Sequence, residues 1–338
     1  MRNINSHLHE QELLRQTGPS MRFKNETNFT QWQKEARKKL MELLGLPLQK
    51  ADSLVSIEYD IEFEDYTEIR FLFQSEPDYF VPCHLLIPKG IQQPIPLTIC
   101  CSGHGSGMHI LLGRIKREID AEKLAEWPQR AIALRAIKEK RAAFVLEPRN
   151  FGESSLEGFG TSCTESAKIA LLNGRTALGE RVWDVMRGID VIEKHFPQID
   201  LQDLMCTGNS GGGTTTYYLA CLDERVKIAA PSCAVCNYED SIAAMPHCMC
   251  NYVPGIRKYF EMGDLAGMIA PRRLIVAAGL HDRIFPIFGV KKAFEDIQRM
   301  YTAAGCKSNC SLVIGDSGHF YYADLIWEAT RPAFSENK

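Results

Sequence analysis

The chain has 338 residues, 45% of them hydrophobic and 24% charged, with a formal net charge of -3 at pH 7. That near balance gives no electrostatic case for nucleic acid or an anionic membrane surface, and no stretch approaches the ~20 apolar residues a spanning helix needs. The polar start from Met1 to Glu10 has no signal-peptide core, so a cytosolic protein acting on small molecules is expected.

The length prior allows two domains but suits one elaborated α/β domain, read as residues 51–338 behind an N-terminal helical extension of residues 1–50. Phe29 to Leu44 has helical spacing through Trp32, Ala36, Leu40 and Leu43, and ends at Gly45 and Pro47. From Ser56 to Pro88 the pattern turns to alternation, with Ile57, Tyr59, Ile61 and Phe63 on one face, then Ile69, Phe71 and Phe73, then Phe80 to Ile87. That predicts an antiparallel meander.

Apolar runs and helical segments alternate after that, which predicts a mostly parallel twisted sheet with helices on both faces. Leu97 to Cys101 reads as a strand ending in Ser102-Gly103-His104-Gly105-Ser106-Gly107, residues 119–140 as a helix, and Ala143 to Leu146 as the next strand. After a polar insertion, residues 180–194 carry Val182, Val185, Met186, Ile189 and Ile192 along one helical face. Apolar runs from Leu204, at Val226 to Ala230, at Arg273 to Ala278 and at Ser311 to Gly315 complete the strands. The segment 231–271 is too long for a plain connection and reads as helices crossing over the site.

Twelve cysteines in so long a chain suggest small buried hydrophobes, as at Cys100, Cys101, Cys206 and Cys221, more than a disulfide scaffold. Cys233-x-x-Cys236 and His247-Cys248-Met249-Cys250 have spacings that suit zinc. A helix is expected between the two groups, however, and a chain of this size does not lack a core. They are read as a loop wall, and no metal is assigned.

The chemistry concentrates where Leu204-Met205-Cys206-Thr207 breaks into Gly208-Asn209-Ser210-Gly211-Gly212. A serine on so sharp a strand-to-helix turn needs small residues two before and two after it, and Gly208 and Gly212 meet that demand. The loop lacks the Lys-Ser/Thr ending of a phosphate cradle and the glycine pattern of a dinucleotide fingerprint. A serine nucleophile needs a base, and the base needs an acid to orient it. Asp282 follows the strand at Arg273 to Ala278, and His319 follows the one at Ser311 to Gly315, in the order Ser, Asp, His. Asp316 and Glu147, each also at a strand end, compete with Asp282 for the acid's place. Backbone N–H donors for an oxyanion are expected from Gly211 and, in the glycine-rich loop, from His104, with Gly105 next.

With these residues the chain resembles the α/β-hydrolase superfamily, in its dienelactone hydrolase-like and acetyl xylan esterase-like branch. The resemblance spans about residues 30–330 and includes Asn173-Gly174-Arg175, Gly179-Glu180-Arg181-Val182-Trp183-Asp184, Arg187, residues 247–255 and residues 259–264. It implies a carboxylic ester hydrolase without metal or organic cofactor, using Ser210, Asp282 and His319. Acetyl esters of carbohydrates and small lactones are the implied substrates, though fold does not fix substrate. One departure is Ser102-Gly103, where many relatives open the oxyanion loop with His-Gly. A prolyl oligopeptidase-like peptidase is a rival, but residues 1–55 cannot build the large N-terminal domain such enzymes carry. A binding protein on an inactive scaffold would usually have lost a member of the triad. His247 is the expected substrate contact, whereas Trp183, Arg175 and Tyr252 are read as packing; the oligomeric state is not legible.

Overall fold

Alternating residues between Val55 and Pro88, then short all-apolar runs, build one nine-stranded sheet. The computed structural model describes residues 4–24, 27–156 and 158–335; Met1 to Asn3 of the polar start and Glu157 of the insertion lie outside the described residues. The strands are β1 (Val55–Glu62), β2 (Tyr66–Glu76), β3 (Tyr79–Pro88), β4 (Ile95–Cys101), β5 (Ala142–Leu146), β6 (Ile199–Asn209), β7 (Ile228–Ser232), β8 (Arg273–Gly279) and β9 (Cys310–Gly315). Their order across the sheet is β1-β2-β3-β5-β4-β6-β7-β8-β9. The pairs from β1 to β5 are antiparallel, and those from β5 through β4 to β9 are parallel.

The helices are α1 (Ser6–Gln16), α2 (Phe29–Leu44), α3 (Glu118–Glu126), α4 (Ile132–Lys138), α5 (Cys163–Leu172), α6 (Ala177–His195), α7 (Gly211–Leu222), α8 (Met262–Leu265), α9 (Ile287–Ala303) and α10 (Ala323–Ser335). None among the described residues is long and apolar enough to cross a membrane. Successive strand residues point to opposite faces. Leu204 and Cys206 of β6 therefore join one core with α2, α6, α7 and α9, while Met205 between them joins the other with α4 and Trp327 of α10. In α2, Trp32, Ala36, Leu40 and Leu44 are buried in the larger core, and Gly45 closes the helix at φ 74°.

The sheet places the site through its order. β4 has β5 on one side and β6 on the other, so the loops leaving β4 and β6 part at the point where strand order reverses. That is where open α/β sheets form a crevice at their carboxyl ends.

Two elements differ from their sequence expectation, and a third shows an exposure that the pattern left open. The helix at 119–140 breaks at Trp127-Pro128 into α3, a 3-10 turn at Pro128–Arg130 and α4, because proline has no N–H and disfavours helix in the residue before it. Alternation in β1 marks an exposed face: Ile57 and Ile61 are 61% and 46% exposed on the sheet's edge strand, and Phe63 just beyond it is 39% exposed. The crossover 231–271 is not a set of helices. Apart from the four-residue α8 it turns through 3-10 segments at Met249–Asn251, Ile256–Lys258 and Ala266–Met268, with Pro246, Pro254 and Gly255 interrupting any longer helical run.

Candidate active site

Ser210 joins β6 to α7 with φ 56° and ψ -122°, a region that a residue bearing a Cβ occupies only when its surroundings impose it. Its N–H donates to Ser232 O at 2.9 Å, and its carbonyl accepts from Thr214 N at 2.8 Å. A Cβ on Gly208 would lie 2.5 Å from Cys101 O, and one on Gly213 would lie 2.6 Å from Ser232 O. The small residues around Ser210 are thus a steric demand of the β4, β6 and β7 backbones closing on the turn. Gly211 is the first residue of α7, so its N–H has no intrahelical acceptor and sits at the positive end of the helix dipole.

The glycine-rich loop after β4 comes up beside this turn. Gly103 is so close that a Cβ there would meet Asn209 O at 2.5 Å and Ser210 Cβ at 3.3 Å. The His104 ring lies over Gly211, its Nδ1 being 3.2 Å from where a Cβ on Gly211 would stand. The loop is held from within by Ser102 Oγ, which donates to Gly107 O at 2.6 Å. Its far end is held by Met108 N, which donates to Glu147 Oε1 at 2.9 Å.

Asp282 and His319 meet on the other side. His319 Nδ1 lies 2.8 Å from Asp282 Oδ2, while Asp282 Oδ1 accepts the N–H groups of Ile284 at 2.8 Å and Phe285 at 3.1 Å. Burial works against the Asp282 charge, yet the His319 hydrogen bond and charge, with these two N–H donors, hold its carboxyl below the usual range. Phe285 stacks on the His319 ring with centroids 5.9 Å apart and planes at 13°. The carboxylate occupies Nδ1, which leaves Nε2 as the nitrogen able to exchange a proton with a neighbour.

The competitors for the acid's place stand elsewhere. Asp316 is exposed. Glu147 is fully buried, accepts Met108 N and Glu153 N, and burial pushes its pKa up to about 8. It braces two loops against each other.

Ser102, His104, Ser210, Gly211, His247 and His319 all line one cavity of about 370 Å³, together with Lys123, Arg130 and Tyr321. His247 Nε2 is 3.1 Å from Ser241 Oγ, and its ring meets Phe285 edge-on at 5.4 Å. Burial first, then the nearby His319, lowers the His247 pKa. Trp183 is buried with its indole N–H on Ser75 O, Arg175 pairs with Glu76, and the Tyr252 hydroxyl donates to Ile242 O. All three serve packing.

The profile of the Abhydrolase family matches residues 1–180, more than half of the chain. The chain belongs to that family. This Abhydrolase family member is 26% identical over 305 residues to YtaP of Bacillus subtilis, named as a candidate hydrolase, with 88% of this chain and 97% of YtaP covered. Among solved structures, a Bacteroides fragilis protein named as a candidate acetyl xylan esterase matches with TM-score 0.78 at 21% identity, covering 93% of this chain and 83% of the other. Methylesterase BT1017 gives 0.71 at 20% identity over 99% and 69% of the two chains. A glucuronoyl esterase from Solibacter usitatus gives 0.69 at 13% identity over 95% and 97%. The Abhydrolase family chain has the α/β-hydrolase fold, a mostly parallel sheet with antiparallel strands added at its N-terminal end.

In this Abhydrolase family member the cysteine-rich segments group differently from their sequence spacing. Cys233 Sγ donates to Phe320 O, and Cys236 Sγ faces Pro286 O. Cys248 and Cys250 instead meet His104 and Cys163, whose ligand-type atoms all lie within 4.8 Å of one another. No sequence signal links His104 to Cys163 or Cys250, since they are 59 and 146 positions apart. A second feature missed from sequence is the ion-pair group of Arg149, Glu76, Asp184 and Arg175. It ties the loop after β5 to β2 and α6, and it accounts for Glu180 and Asp184 in the segment 179–184.

Proposed function

We propose that this protein is a serine hydrolase of carboxylic esters working through Ser210, His319 and Asp282. The reading rests on the 2.8 Å bond from His319 Nδ1 to Asp282 Oδ2, on a histidine that shares its cavity with a serine held in a constrained elbow. With Nδ1 taken, His319 Nε2 is the base that removes the Ser210 proton, and the Ser210 oxygen bonds to the acyl carbon. The carbonyl oxygen becomes an oxyanion held by the N–H groups of Gly211 and His104. As the tetrahedral adduct collapses, the C–O bond to the alcohol breaks, and that alcohol leaves with the proton from His319. Water, deprotonated by the same imidazole, then hydrolyses the acyl-enzyme and restores Ser210.

A cavity of about 370 Å³ is at the small end of ligand sites and suits a short acyl group on a sugar, or a small lactone. The names of the structural neighbours, an acetyl xylan esterase, a methylesterase and a glucuronoyl esterase, lean the same way. His247, whose pKa burial lowers, lines the cavity and is the side chain we assign to hydrogen-bond the bound ester. The test is labelling by a fluorophosphonate, followed by a panel of acetyl, butyryl and lactone substrates beside peptide amides. The wild type should be labelled and turn over a small ester, and Ser210→Ala should do neither while keeping its circular dichroism. Labelling that persists in Ser210→Ala would falsify the assignment, and preferred cleavage of the amides would replace esterase by peptidase.

A further inference from the structure

Three thiols and one imidazole converge beside the cavity from three separate stretches of chain. His104 comes from the loop after β4, Cys163 opens α5 in the insertion, and Cys248 and Cys250 belong to the crossover. We propose that His104 Nε2 and the sulfurs of Cys163, Cys248 and Cys250 form a structural zinc site that clamps these segments together.

The spacing of these atoms suits the corners of a zinc tetrahedron. Zinc with Zn–S of about 2.3 Å and Zn–N of about 2.0–2.1 Å in tetrahedral array has N···S edges of about 3.5 Å and S···S edges of about 3.8 Å. His104 Nε2 lies 3.4 Å from Cys250 Sγ and 3.8 Å from Cys163 Sγ, on either side of that edge, and all four atoms fall within 4.8 Å of one another. Three cysteines with one histidine is a closed donor set typical of structural zinc, with no position left for water. The imidazole is aimed by its surroundings, since its ring packs on Phe151 at 4.8 Å between centroids.

Charge points the same way. Arg181 is 3% exposed, and among the described residues its polar contacts are a carbonyl and a thiol, with no carboxylate. Its guanidinium stacks on Phe151 at 4.2 Å, donates twice to Arg149 O, and donates through Nη2 to Cys163 Sγ at 3.1 Å. A buried cation needs a counter-charge. Three thiolates and a neutral imidazole around Zn²⁺ carry a net charge of -1, which answers the single charge of Arg181. Binding would release the thiol protons to solvent, as metal capture by cysteines does. Cys163 and Cys250 are buried, Cys248 is half-buried, and His104 is the exposed member through which an ion can enter.

A zinc here would fix the loop that carries the His104 N–H against both the insertion and the crossover. The inference does not depend on the esterase reading, because its readout is metal content. The full chain, untagged and purified without chelator, should contain about one zinc per molecule. Cys163→Ser and Cys250→Ser should each lower that at least tenfold, while Cys236→Ser, outside the cluster, should retain it. Cobalt added to chelator-stripped wild type should give the thiolate charge-transfer and intense ligand-field absorption of a tetrahedral sulfur site. Should a serine variant fold poorly, stripping and restoring zinc in the wild type decides the matter, with Tm falling and then recovering. The proposal is overturned by less than a tenth of an equivalent of metal with no cobalt spectrum, by full metal retention in Cys163→Ser, or by a disulfide among these cysteines in freshly purified protein.

Discussion

The strand-end loops and the wall that faces them are built in different ways. Ser210, Asp282 and His319 each follow a strand of one sheet by a few residues; Ser210 and Asp282 are held by backbone, through Ser232 O and through the N–H groups of Ile284 and Phe285, and His319 is held by Asp282. The wall, made by the insertion after β5 and the crossover 231–271, contains no strand of the sheet apart from the end of β7 and only the short α-helices α5 and α8. It is held by buried polar groups drawn from distant sequence, such as Arg149 on Asp184 and Glu76, Glu147 on two backbone N–H groups, and the His104, Cys163, Cys248 and Cys250 cluster. The sheet side thus positions chemistry by backbone geometry. The opposite side is positioned by charge and hydrogen bonding, which makes it sensitive to pH and to the loss of single partners.

The largest expected effects lie on the strand-end side and are on rate, with stability nearly unchanged. Ser210→Ala should cut kcat toward a nitrophenyl ester by about 10⁴–10⁶-fold, measured in steady state, and a variant within tenfold of wild type would remove the contrast altogether. Asp282→Asn should lower kcat by about 10⁴-fold, because the amide favours the wrong imidazole tautomer. Asp316→Asn, exposed and apart, should stay within about twofold; the reverse ranking would hand the acid's role to Asp316.

On the wall, effects should fall on stability. Arg149→Ala leaves the Asp184 carboxylate buried without its cation and Glu76 with Arg175 alone, so unfolding in urea should show a loss of about 3–5 kcal/mol. A loss under 1 kcal/mol would mean that water enters and the wall is looser than its hydrogen bonds suggest. The smallest effect is a slope with pH. Burial raises the Glu147 pKa from 4.5 to about 8, so the folded state holds this proton more tightly than the unfolded one. The stabilisation is complete below about pH 4.5 and is lost as pH rises to about 8. Tm of the wild type should therefore decline between pH 5 and 8 more steeply than that of Glu147→Gln, whose amide cannot ionise. Parallel curves would show that Glu147 titrates near its ordinary value.

What could be read without coordinates followed from local rules. The sharp turn at Ser210 announces itself because only glycines fit at 208 and 212, where β4 closes on the elbow. Helix α2 was legible in its period and its stop at Gly45, with Trp32, Ala36 and Leu40 buried as read, although Leu44 and not Leu43 is the buried residue of its last turn. Periodicity gave the strand but was silent on its exposure in β1, where Ile57 and Ile61 lie open at the sheet edge. It failed in the crossover, where irregular backbone is held by side chains from elsewhere, as in the Glu261 carboxylate that accepts Tyr238 N. Nothing in their spacing announced that His104 and Cys163 would join Cys248 and Cys250.

From its order of residues alone this chain already carried a mostly parallel sheet, a serine elbow, and an aspartate and a histidine after later strands. Those features depend on period, turn sterics and sequence order, which are one-dimensional properties. Tertiary structure chose Asp282 over Asp316 and Glu147 as the partner of His319, since only folding sets which carboxylate reaches Nδ1. It also separated Cys233 and Cys236 from the cysteines at 248 and 250 and brought in His104 and Cys163 instead. Contacts between segments so far apart arise from how loops pack over the sheet, and no local propensity records them.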